Sequence, residues 1–122
     1  MPSILLVDDD EQMRNLLSEI LRRAGHEVEV ARDGQEATEL YHQRLPDLVV
    51  TDLVMPRKEG LEMIMELCRS CPQIRIIAMS GGGKMDPTPL LRAASIFGAQ
   101  RILHKPFSPE EFMQAVSESL PA

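Results

Sequence analysis

Ile4-Leu5-Leu6-Val7-Asp8-Asp9-Asp10 decides the reading of this chain. Ile4–Val7 is a short, continuously apolar run, as a strand buried on both faces requires. Acids follow at once. The next apolar residues, Met13, Leu16, Leu17, Ile20 and Leu21, then recur at helical spacing. A helix is expected from Glu11 to Ala24, with Arg22 and Arg23 suited to its last turn and Gly25 as its cap. A buried strand that turns through acids into a helix is the opening of a parallel α/β unit.

Outward from that stretch the alternation repeats. His26–Ala31 alternates polar and apolar residues, as an edge strand does. Asp33-Gly34-Gln35-Glu36 reads as a capping box opening a second helix. Leu45-Pro46 ends a linker to a third strand, Leu48–Thr51, and a helix is expected from about Glu59 to Ser70. Ile74–Met79 is the fourth strand, Pro89 to about Gly98 the fourth helix, and Arg101–His104 a short fifth strand. Ser108-Pro109-Glu110-Glu111 is another capping box, opening a last helix to about Leu120. The sequence thus predicts an α/β fold: a five-stranded parallel sheet doubly wound by five helices, flavodoxin-like. Right-handed crossovers and a central first strand favour the order 2-1-3-4-5. Residues 1–122 form one domain in this reading.

Composition removes several classes of function. A net charge of -6 argues against direct nucleic-acid binding by this domain. No apolar run approaches the roughly 20 residues of a membrane helix, and Met-Pro-Ser opens no signal-like segment, so a cytoplasmic location is expected. Cys68 and Cys71 form a C-x-x-C pair at the end of a helical pattern, not at a helix N-terminus, and they read as two ordinary thiols.

The polar residues at the strand ends carry the chemistry. The first strand runs into Asp8-Asp9-Asp10, the third into Thr51-Asp52, the fourth into Ser80 and the fifth into Lys105. In a parallel sheet these ends share one edge, at the switch point where ligands bind. Helix capping accounts for one acid, Asp9 or Asp10, but not for Asp52, which leads into Leu53-Val54-Met55-Pro56. Clustered carboxylates repel, and a hard divalent cation resolves the repulsion. Oxygen ligands with few dedicated protein contacts suit magnesium. A cation with a nearby lysine also neutralises a phosphoryl group in transfer, and a carboxylate can be the nucleophile. Asp52 is best placed for that role.

With these residues in order, the chain resembles the receiver domain of two-component response regulators from about Ser3 to Leu120. The markers are Val7-Asp8-Asp9, Asp52 to Pro56, Gly60, Ser80-Gly81 and Lys105-Pro106-Phe107. The resemblance implies a phosphorylation-dependent signalling switch with Asp52 as phosphoacceptor. It makes Asp9 a direct Mg2+ ligand and Asp8 a ligand through water or a second direct one, with Asp52 and the Val54 backbone carbonyl completing the set. Lys105 would pair with phosphoryl oxygens, and Ser80 with Gly81 would bind the phosphoryl group. Lys105–Pro106 would be a cis peptide. The donor would be a histidine kinase or histidine phosphotransfer protein, and the output a downstream effector or a fused output domain.

Two departures stand out. The family's aromatic switch position, three before the lysine, is Ile102 here. The segment Gly81 to Pro89 is long and glycine-rich, and is expected to order over the site on phosphorylation. An aspartate-based phosphatase would need an acid two residues after the nucleophile, where Val54 stands, so turnover of free substrates is not expected. The alternative is a phosphorylation-independent interaction module of the same fold.

Overall fold

The computed structural model describes residues 2–53, 60–81 and 98–120. Its elements are β1 (Ser3–Val7), α1 (Glu11–Arg23), β2 (Glu27–Ala31), α2 (Gly34–Gln43), β3 (Leu48–Asp52), α3 (Gly60–Ser70), β4 (Arg75–Gly81), β5 (Arg101–Lys105) and α4 (Pro109–Ser119). The five strands form one sheet in the order β2-β1-β3-β4-β5, with every pairing parallel. The helix expected near 89–98 falls on 82–97, outside the described residues, as does the loop expected to order. Four helices are therefore seen among the described residues instead of five.

Side-chain alternation in the central strands builds a core on each face. Leu5 and Val7 of β1 join Val49 and Ile76 in packing against Ala37 and Tyr41 of α2 and Met63, Ile64 and Leu67 of α3. Ile4 and Leu6 point the other way, with Val50 and Ile77, onto Leu17 and Leu21 of α1 and Phe112, Ala115 and Val116 of α4. Burial on both faces is why residues 4–7, 48–50 and 76–79 are unbroken apolar runs. The edge strand β2 leaves Glu27, Glu29 and Val30 exposed, and such charges discourage pairing with another chain.

Local chemistry sets the helix ends. Asp10 caps α1 by accepting from the N–H groups of Gln12 at 2.9 Å and Met13 at 3.3 Å. At the other end Gly25, at φ 93, donates to the Arg22 carbonyl and His26 donates to the Leu21 carbonyl. That is a Schellman closure, which needs a left-handed residue. The box at α4 is complete, with Ser108 and Glu111 bonded reciprocally. The box expected at α2 is only half realised. Asp33 accepts from Glu36 N–H at 2.9 Å, while the Glu36 carboxylate turns to the backbone and guanidinium of Arg32.

Two boundaries shift with consequence. β4 runs through Ser80 and Gly81, which pair with His104 and Lys105, so these two residues belong to the sheet. Before β5, Gln100 acts as a short strand extension that nothing in its sequence setting announces. Its Oε1 accepts from Ile76 N–H at 2.6 Å and its Nε2 donates to the Ile74 carbonyl at 3.2 Å.

Gly60 joins α3 to β3. Its N–H donates to the Leu53 carbonyl at 3.1 Å. A Cβ there would run into the Asp52 carbonyl oxygen and lie 2.8 Å from Leu53 Cα. These are backbone atoms that cannot swing aside. Gly60→Ala is expected to cost about 1–3 kcal/mol, read as a lower urea midpoint at unchanged slope. An unchanged midpoint would show that α3 can slide away from β3 freely.

Candidate functional site

β1 and β3 are adjacent, and their carboxyl ends bring Asp8, Asp9 and Asp52 together. Each offers a carboxylate oxygen, and these oxygens lie within 4.8 Å of one another. Asp8 is fully buried, Asp9 is exposed, and Asp52 keeps 13% of its side chain accessible. The cluster is thus a pocket with one open side. β5 contributes Lys105, whose Nζ donates to Asp8 Oδ2 at 3.0 Å and to Asp52 Oδ2 at 3.2 Å. The Lys105–Pro106 peptide bond that follows is cis.

Every polar atom of Asp8 is engaged. Its N–H donates to the Ala31 carbonyl, and its Oδ1 accepts from Asp10 N–H at 2.9 Å. Its carbonyl accepts from Arg14 Nη1 at 2.9 Å, and its Oδ2 holds Lys105. Across the pocket, Thr51 Oγ1 donates to the Asp52 carbonyl at 2.9 Å. Both acids therefore sit on fixed backbone.

Burial works hardest on Lys105 and disfavours its charge. The Asp52 and Asp8 carboxylates outweigh it together, so the pKa lies above the ordinary lysine value. A group raised in this way contributes stability fully below the ordinary lysine range and loses it only as the pH climbs past about 10.4. Among the described residues the pocket sets the Lys105 ammonium against the three acids of the cluster. That excess of hard, anionic oxygen is a donor set able to hold a divalent cation.

Ser80 is 3% exposed and stands next in β4 to Met79, the register partner of Asp52. Gly81 is the register partner of Lys105. Ile102 lies opposite Ala78 and packs, half-buried, against the core on the α2 and α3 face. Val54 is outside the described residues. Of the apolar residues at helical spacing in α1, Leu17 is core at 2% exposure, and Met13 packs against the same core. Leu16, at 53%, is the exposed one. Asp10 takes the capping role left open between Asp9 and Asp10. Arg14 was not singled out by sequence. Its signal was a cation in the first turns of a helix, where the macrodipole disfavours one.

The sequence model for the response regulator receiver domain matches residues 4–117. The chain belongs to that family. It is a two-component signalling component, a phosphorylation-dependent switch. Among its relatives, a chemotaxis protein CheY of Halobacterium salinarum is 38% identical over 98% of this chain and 97% of its own length. Sporulation initiation phosphotransferase F of Bacillus subtilis is 31% identical over 97% and 93%. The crystal structure of NtrX from Brucella abortus superposes with a TM-score of 0.90 at 29% identity, covering 98% of this receiver chain and 26% of the NtrX chain. The receiver domain thus spans about a quarter of that protein. Among its described residues no helix is long and apolar enough to cross a membrane.

Cys68 and Cys71 are both free thiols, half-buried. Burial first, and then the neighbouring Cys71, push the Cys68 thiol above its ordinary range, the reverse of a redox-active pair. Alkylation of Cys68 is expected to be slow at neutral pH and to accelerate as pH rises beyond about 8.5. Peptide mapping after timed iodoacetamide treatment checks this. Rapid labelling of Cys68 at pH 7 would overturn the ordinary-thiol reading.

Proposed function

We propose that this receiver domain, spanning residues 1–122, accepts one phosphoryl group on Asp52 from a histidine kinase or histidine phosphotransfer protein. The observation that carries the reading is Lys105 Nζ bridging Asp8 and Asp52 at the floor of the three-carboxylate cluster. In the step proposed, an Asp52 carboxylate oxygen attacks phosphorus while the bond from phosphorus to the donor imidazole nitrogen breaks. The charge on the transferring group spreads over its equatorial oxygens. Lys105 donates to those oxygens, and Ser80 Oγ with the Gly81 backbone would hold them from β4. Asp8, Asp9, Asp52 and the Val54 carbonyl are the ligands proposed for Mg2+. When bound, it neutralises acids and phosphoryl oxygens alike.

The chain would act as a switch and not as an enzyme turning over free substrates, located in the cytoplasm beside its kinase. Its changed surface would be read by an effector protein or a fused output domain, without direct contact to nucleic acid or membrane. Ile102, half-buried against the core, has no ring to rotate, so coupling from Ser80 would rest on backbone movement of β4. The test is intact mass after incubation with a small acyl-phosphate donor. One phosphoryl mass gained with magnesium, and none with a chelator, is expected. A folded chain that gains none with an active donor and with cognate kinase would point to the phosphorylation-independent module.

A further inference from the structure

Arg14 lies one turn into α1 and reaches back to the end of β1. Its Nη1 donates at 2.9 Å to the Asp8 carbonyl oxygen. That carbonyl belongs to the peptide linking Asp8 to Asp9, two of the three acids of the cluster. The orientation of one peptide plane sets the relative directions of two side chains on either side of it. Arg14 grips this plane from the helix, while Asp10 N–H holds Asp8 Oδ1 at 2.9 Å from the chain ahead. The Arg14 backbone N–H is tied to the Asp10 carbonyl at 2.9 Å, so the side chain starts from a fixed point. The side chain is half-buried, and its guanidinium stays protonated at any working pH. It sits where the helix macrodipole disfavours a cation, so a local interaction must offset that cost. The bond to the Asp8 carbonyl is such an interaction.

We propose that Arg14 is a positioning residue for the divalent cation. By fixing the Asp8–Asp9 peptide it would hold both carboxylates in the geometry a small octahedral ion demands. The inference rests on the magnesium reading above. Magnesium tolerates little departure from its ideal geometry. Groups that orient the ligands of a metal commonly account for about 10–100-fold in affinity.

The experiment is calorimetric titration of the full chain with magnesium chloride, for the wild type, Arg14→Met and Arg14→Lys. Each is accompanied by thermal melting in chelator. Arg14→Met keeps the aliphatic stem and loses every donor. It is expected to bind magnesium about ten-fold more weakly while melting in chelator close to the wild type. Arg14→Lys keeps a donor long enough to reach the carbonyl and should recover much of the affinity. Magnesium affinity of Arg14→Met within two-fold of the wild type would overturn this inference alone. A wild type that binds no magnesium would overturn it together with the reading it rests on. If Arg14→Met does not fold, Arg14→Lys and Arg14→Gln decide. Their order of affinity should follow their ability to reach the carbonyl, and equal wild-type affinity in both would overturn the role.

Discussion

Asp52→Asn is expected to take up no phosphoryl group under conditions that fully modify the wild type, and to melt higher in the absence of metal. The first half follows from chemistry. An amide oxygen of the same size sits in the same place, but without the negative charge of a carboxylate it is a far weaker nucleophile and does not displace the donor. The second half follows from magnitudes. At an effective dielectric near 20, unit charges at the 4.8 Å limit of this cluster repel by about 3 kcal/mol. Asp52 feels two such neighbours. Its contact with Lys105 at 3.2 Å returns about 5 kcal/mol on the same scale. Lys105 keeps Asp8 in the variant, and the asparagine oxygen can still accept from it. Over these contacts alone the balance favours the variant by about 1 kcal/mol, a few degrees of melting temperature for a domain of this size. Intact mass reads the first effect and calorimetry in chelator the second. Phosphoryl gain in Asp52→Asn would move the acceptor elsewhere. A lower melting temperature would mean that the lysine contact outweighs the repulsion.

The same pocket shows what a sequence can and cannot disclose. Apolar runs in β1, β3 and β4, with alternation at β2, mark central and edge strands because burial on one face or two is written directly into the residue pattern, and right-handed crossovers then favour the order. The gathering of Asp8, Asp9, Asp52 and Lys105 at one edge follows from parallel topology alone. The phase of a helix is less legible. Met13, Leu16, Leu17, Ile20 and Leu21 form a stripe wider than the groove it fills, and periodicity does not say which margin faces out. The groove took Leu17 and left Leu16 at 53% exposure. Side-chain-to-backbone bonds are less legible still. Arg14 to the Asp8 carbonyl, Gln100 to the start of β4 and the Glu36 carboxylate turned to Arg32 depend on distances fixed only once the elements have packed. The extension of β4 through Ser80 and Gly81 was hidden because glycine reads as a strand breaker, whereas pairing with Lys105 carries the ladder on.

Lys105→Met should show the largest stability effect and an unusual rescue. Methionine keeps most of the stem's volume and removes the ammonium that touches both Asp8 and Asp52. Asp8 is fully buried, and with Lys105 gone its Oδ2 loses its partner among the described residues. Removing one partner of a buried ion pair commonly costs 3–5 kcal/mol, because the charge left behind stays desolvated. Asp9 is exposed and the pocket has an open side, so water relieves part of this, and about 3 kcal/mol is expected in chelator. Magnesium should then stabilise the variant more than the wild type. The ion replaces the lost counter-charge and no longer competes with an ammonium for Asp8 Oδ2, and any ligand stabilises in proportion to its preference for the folded chain. Stability and phosphoryl uptake therefore separate. With saturating magnesium the variant should recover most of its melting temperature and still be phosphorylated far more slowly, since the donor to the phosphoryl oxygens is absent. Urea titrations with and without magnesium, paired with intact-mass time courses, read both. If the variant is as stable as the wild type in chelator, Asp8 is solvated well enough without Lys105. If its phosphorylation rate matches the wild type, the ammonium serves only to hold the acids apart until the metal arrives.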